Sequence, residues 1–173
     1  MVPRRVPYLV LLSVFFLWLP ALLLAAKPAT VPAPGFQGIP WGSTLAELPQ
    51  LVLVEPDGRV DIYGYKKGPP NFANGQVEAI KLYSIDSQFA RVMIRYRTEE
   101  THNRIKQALE STYGKLQHNR GSMIRGLNQE YSWRLEETEI SLSYRELGER
   151  GLLMIQSRVL APRFLDLLSD HTH

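Results

Sequence analysis

VEAIKLYSIDSQFARVMIRYRTEETHNRIKQALESTYG, residues 77–114, changes its hydrophobic period partway along, and that change decides the fold. Up to Arg97 the pattern is that of strands, with Phe89, Val92, Ile94 and Tyr96 mainly on one side and Arg91, Arg95 and Arg97 mainly on the other. Asp86-Ser87 interrupts the run, so residues 77–85 and 89–97 read as a hairpin. From Thr98 the period becomes helical. Thr98 is placed to cap a helix over 98–113, and Glu99 and Glu100 lie in its first turn, where the helix dipole favours anions. Ile105, Ala108, Leu109 and Thr112 follow the i, i+3, i+4, i+7 spacing of one buried face, and Gly114 is expected as a left-handed C-terminal cap.

The same alternation continues on both sides of this block. Residues 51–55 and 60–65 flank the turn signal Pro56-Asp57-Gly58-Arg59, and 66–75 read as a loop. Residues 130–136, 138–145 and 151–160 return as strands. Among them Ile140, Leu142 and Tyr144 alternate with Glu139, Ser141, Ser143 and Arg145, the pattern of a sheet with one dry and one wet face. Pro162 can start a last short helix carrying Phe164, Leu165, Leu167 and Leu168. The expected fold class is α+β: a mostly antiparallel sheet of about seven strands with the 98–113 helix across one face. Hairpin then helix occurs twice, over 77–113 and 138–168, and the fragments VEAIKLY and TEISLSY hint at an internal duplication.

Upstream, residues 35–42 read GFQGIPWG and open the expected domain, 36–170. Thr44 and Glu47 have capping-box spacing, Leu45 and Leu48 sit one helical turn apart, and Pro49 stops the turn at once. Trp41 is expected to be largely buried against the sheet and the end of the 98–113 helix, closing one end of the core with the two leucines. The opener F-x-G-I-x-W-G at Phe36 to Gly42 resembles one that recurs in small exported bacterial proteins of unknown function. Tyr113-Gly114, Trp133 and T-x-I-x-L-x-Y from Thr138 to Tyr144 resemble later motifs of the same proteins. The resemblance implies an envelope-located α+β domain and carries no catalytic residue across. The chain departs from many small envelope proteins in having no cysteine for a lipid anchor.

The first 26 residues set the expected location. Arg4 and Arg5 precede an uncharged apolar run from Val6 to Ala26, ending in Ala25-Ala26: charge, then apolar stretch, then small residues, as in a secretory signal. That run is also long enough to span a hydrocarbon core of about 30 Å, so a cleaved signal peptide and an uncleaved membrane anchor both fit. Either places the remainder outside the cytoplasm, in or facing a bacterial periplasm, with membrane contact through 6–26 if uncleaved. A Pro/Ala linker over 27–35 follows.

Charge and composition narrow the function classes. The net charge is +3, but Arg4 and Arg5 account for two of the 20 basic residues; the remaining 18 face 17 acidic ones, a net +1 from residue 27 onward. A nearly neutral domain exerts no long-range pull on nucleic acid, so none is expected as a partner. The absence of cysteine excludes disulfides, thiol nucleophiles and thiolate metal sites.

No nucleophile-elbow, phosphate-loop, zincin or dinucleotide motif is present, and no catalytic residue, metal site or cofactor is assigned. Of the four histidines, only His171 and His173 form a close pair, too few ligands for a metal site. Glu136, Glu137 and Glu139 are read as surface acids. The candidate binding surface is basic: Arg91, Arg95 and Arg97 along one strand face, with Arg120 and Arg125 in the loop HNRGSMIRG, able to meet phosphate or carboxylate groups. The expectation is a non-enzymatic module that binds an envelope protein or a cell-wall or lipid component. A small envelope hydrolase and a carrier of a hydrophobic ligand are the alternatives.

Overall fold

The structure, a computed structural model, describes residues 34–115 and 128–170. The signal or anchor segment, most of the linker, His118, Arg120, Arg125, His171 and His173 lie outside the described residues. Among the described residues no helix is long and apolar enough to cross a membrane.

A small ribbon, β1 (Gly35–Phe36) and β2 (Ile39–Pro40), and a single 3-10 turn, Leu45–Glu47, precede the main sheet. Its strands are β3 (Leu51–Asp57), β4 (Val60–Tyr65), β5 (Ala79–Ile85), β6 (Gln88–Arg97), β7 (Asn128–Arg134), β8 (Thr138–Arg145) and β9 (Arg150–Ser157). They form one seven-stranded antiparallel sheet in the order β3-β4-β5-β6-β9-β8-β7. Two meanders, β3 to β6 and β7 to β9, are linked through the helix α1 (Glu99–Tyr113) and meet at the β6–β9 seam. The helix α2 (Arg163–Asp170) is the last element of the described residues.

Strand lengths differ from the sequence reading only at the ends. β3 runs on through Pro56 and Asp57, leaving Gly58-Arg59 as the turn, because proline is tolerated in an edge strand. At the β5–β6 turn Asp86 and Ser87 both take positive φ, 50° and 63°, the geometry that matches hairpin twist. Arg59 ties the two turns together, its Nε and Nη2 donating to Asp86 Oδ1 and Oδ2 at 2.7 Å each.

The two halves of the sheet are arranged alike about the seam. β5 and β8, which carry the paired fragments, both flank the central strands. The helices break the likeness. α1 packs on the face made by Val92, Ile94, Tyr96, Leu142 and Tyr144, whereas Phe164 of α2 joins Val60, Ile85 and Ala90 against the other face. Any repeat therefore extends to strands and not to helix placement.

Thr98 caps α1 as expected, its Oγ1 accepting from Thr101 N at 3.3 Å. Gly114 has positive φ, 91°, but its ψ of 157° sends the chain out extended instead of into a left-handed cap. Its carbonyl accepts from Trp133 Nε1 at 3.0 Å, which fixes the helix end to β7. The buried stripe of α1 is also rotated from expectation. Ile105 and Leu109 are buried, but so is His102, while Ala108 is half-buried and Thr112 exposed. His102 belongs to an aromatic cluster: Nδ1 lies 2.8 Å from the Tyr96 hydroxyl, and its ring stacks on Tyr144 at 4.9 Å. The Tyr96 hydroxyl also reaches the Ser143 carbonyl at 3.2 Å. If Nδ1–H donates to Tyr96 and Tyr96 donates to Ser143, every proton in the chain is used and only the bare Nε2 acceptor lacks a partner.

The opener is held differently from expectation too. Trp41 is half-buried, not largely buried. It packs on Phe89 at 4.8 Å and donates from Nε1 to Thr138 Oγ1 at 2.9 Å, so its recorded partners are β6 and β8. Phe36 and Leu45 do the burying instead, and backbone bonds Gly42 N to Phe89 O and Phe89 N to Ser43 O pin the segment to the sheet. Thr44 makes no side-chain cap on this single 3-10 turn.

Candidate functional site

With α1 covering one face and α2 one end of the other, the rest of that second face is accessible, and the antiparallel registers set its side chains in rows. One row crosses four strands as Arg91, Gln156, Glu139 and Arg134. The next reads Met93, Met154, Ser141 and Ser132, and the third Arg95, Leu152, Ser143 and Glu130. The last reads Arg97, Arg150, Arg145 and Asn128. Arginines thus concentrate in the two end rows, with Met93, Met154 and Leu152 between them.

The first row is a connected polar chain. Arg91 Nε donates to Gln156 Oε1 at 3.0 Å, and Gln156 Nε2 donates to Glu139 Oε2 at 2.9 Å. Arg91 is half-buried under α2, its guanidinium 4.2 Å from the centre of the Phe164 ring. Burial draws its pKa down from the ordinary arginine value, though arginine stays cationic in proteins. Arg163, at the start of α2, donates to Gln88 at 2.8 Å and so holds the helix over this end of the sheet.

Arg91, Gln156 and Glu139 line a cleft of about 300 Å³ with Arg134, Arg158 and the apolar Ala161, Pro162 and Leu165. Arg158 is structural there: its Nη1 donates to the carbonyls of Leu135 and Glu136 at 2.7 and 2.8 Å, fastening the β7–β8 turn. Arg134 is exposed and makes no hydrogen bond or ion pair among the described residues, so its donors face the cleft mouth unspent. Three arginines against one glutamate make the cleft a cationic recess with a fixed donor at its floor and a mobile-stemmed one at its rim.

Of the predicted basic residues, Arg91, Arg95 and Arg97 share a face but not a site, and Arg120 and Arg125 lie outside the described residues. Arg91 enters the cleft. Arg95 stands exposed in mid-face, and Arg97, at the far end, is ion-paired with Glu78. Across from it Arg150 lies between Arg97 and Arg145; Glu78 already compensates Arg97, while Arg145 and Arg150 make no ion pair among the described residues. Sequence reasoning missed Arg134, Gln156 and Arg158. The Arg134–Glu139 pairing was legible from the hairpin spacing, but the Gln156 contact depends on β9 returning to the centre of the sheet. Glu136 and Glu137 sit in the β7–β8 turn, apart from Glu139 on the open face.

A second concavity lies on the α1 side. It is an apolar groove of about 330 Å³ between the β1–β2 ribbon and α1, lined by Phe36, Ile39, Phe72, Leu109, Tyr113 and Ile155 among others. No protein-family model, curated protein or solved structure matches the chain.

Proposed function

We propose that this protein is an extracytoplasmic, non-enzymatic binding module that takes an anionic envelope component, a phosphate- or carboxylate-bearing lipid or polymer, on its open sheet face. One observation carries the reading: the face opposite α1, covered by α2 at one end only, sets arginines in two end rows, with Arg134, Arg145 and Arg150 lacking any side-chain partner among the described residues. Planar guanidinium groups suit phosphate and carboxylate oxygens, and the Met93, Met154 and Leu152 belt between them offers apolar contact to the ligand's body. The apolar run behind Arg4 and Arg5 supports export, and a reporter active only outside the cytoplasm, fused after residue 40, is expected to give signal.

Binding is tested with the isolated protein on vesicles of anionic or zwitterionic lipid and on a soluble polyanion. Selective, salt-sensitive binding to an anionic probe is expected, weakened at least severalfold in Arg134→Glu/Arg145→Glu. Equal binding to neutral vesicles, or no loss in the double variant, would remove the reading. The apolar groove beside α1 favours one other function, carriage of a hydrophobic molecule. Uptake of a fluorescent fatty acid that Leu109→Trp blocks would favour it over the sheet-face reading.

A further inference from the structure

The outer edge of β3 carries an unusual load for an exposed strand. Val52, Leu53 and Val54 are consecutive and 43%, 46% and 55% exposed. Because successive side chains point to opposite faces, the apolar surface wraps around the strand edge instead of facing the core. Gly64, opposite Val52, has no side chain to cover it. β3 is the last strand on its side of the sheet, so its outward N–H and C=O groups pair with no strand among the described residues. The other edge, β7, presents Asn128, Glu130, Ser132 and Arg134 to solvent, the polar dressing that keeps sheet edges apart.

We infer that the β3 edge is where a second copy of this chain docks, strand against strand, so that the sheet continues across a two-fold axis. The charges choose this occupant and its direction. Glu55 and Asp57 lie at one end of the edge; Lys66 and Lys67 lie at the other, where Lys66 N bonds Gln50 O. Glu55 has only a 3.9 Å contact to Lys81, and the two lysines have no ion pair among the described residues. An antiparallel match centred on Leu53 sets Val52 opposite Val54 of the other copy and brings each acidic end to a lysine end. A parallel match would set acid on acid. The bulge at Leu53/Glu55 keeps the paired stretch short, so the association belongs with small interfaces that dissociate on dilution.

The cysteine-free chain allows a direct test. In Leu53→Cys the introduced thiols face each other across the axis, where directly opposed strand residues come within disulfide reach. Mild oxidation of the full chain is expected to give a disulfide-linked homodimer. Ser132→Cys, exposed on β7, is expected to give at least tenfold less. Adding Val54→Lys to Leu53→Cys should remove the dimer while the thermal melt stays cooperative. The inference is overturned by absence of the Leu53→Cys dimer or by equal yield from Ser132→Cys. A dimer that survives Val54→Lys, or a cross-link whose mass shows a foreign chain, overturns it as well.

Discussion

The two faces of the sheet are built from the same strands and obey opposite rules. On the α1 side, Val92, Ile94, Leu142 and Leu153 are fully enclosed, and the Tyr96 hydroxyl and His102 Nδ1 bond to each other, with only His102 Nε2 left unpaired. On the other side, guanidinium groups stand next to one another with few partners, and methionines and a leucine lie half-exposed between them. The first face is organised for stability. The second keeps arrangements that stability alone would not select, which is where recognition is expected to reside.

Substitutions can sharpen or break that contrast. Leu109→Ala, under α1, is expected to cost roughly 2 to 4 kcal/mol through the cavity it leaves, read as a shift in chemical denaturation. A loss below about 0.5 kcal/mol would mean that α1 is not the cover of the dry face.

Acid should act through His102. Burial depresses its pKa to about 4, assisted by the Lys106 charge. Gln129 opposes the shift, but its Oε1 already accepts from Tyr131 and His102 Nε2 has no partner, so burial decides. Between the unfolded value near 6.5 and about 4 the unfolded chain holds a proton that the native state refuses. Stability is therefore full above the upper value and falls as pH drops through this window, by up to about 3 kcal/mol from this residue. His102→Phe should flatten that part of the pH–stability curve; an unchanged slope would place the acid sensitivity elsewhere.

Trp41→Ala should cost about 2 kcal/mol, less than a fully enclosed tryptophan, because the ring is half-buried and one hydrogen bond is lost with it. Lys106→Ala should cost about 0.5 to 1 kcal/mol, since Lys106 Nζ sits 4.4 Å above the Tyr131 ring. Arg134→Ala, on the open face, is expected to leave the melt within about 0.5 kcal/mol of wild type while weakening anion binding. A large stability loss there would erase the distinction between the two faces.

The sequence made the sheet legible because period-two alternation is local: Ile140 to Tyr144 and Phe89 to Tyr96 reveal their faces without any distant contact. The helix was legible for the same reason, but its stripe was not. A histidine counts as polar in a periodicity reading, and only contact with Tyr96, six residues back, and with Tyr144, two strands further on, makes His102 a core residue. Trp41 was misjudged because its neighbours Phe89 and Thr138 are distant in sequence. The cleft was half legible: Arg91 was visible on its strand, whereas Gln156 and Arg134 became its neighbours only through strand order.

The β6–β9 seam has a consequence for how the chain is made. Strands β3 to β6 can assemble as soon as they emerge, since each pairs with its predecessor. β6 then waits with its outer backbone unpaired, although α1 can already cover Val92 and Ile94, until β9 arrives some 60 residues later, with Arg91 finally opposite Gln156. That delayed pairing leaves a strand edge open in the half-built chain, so truncation before Ser157 is expected to be far more damaging than loss of α2.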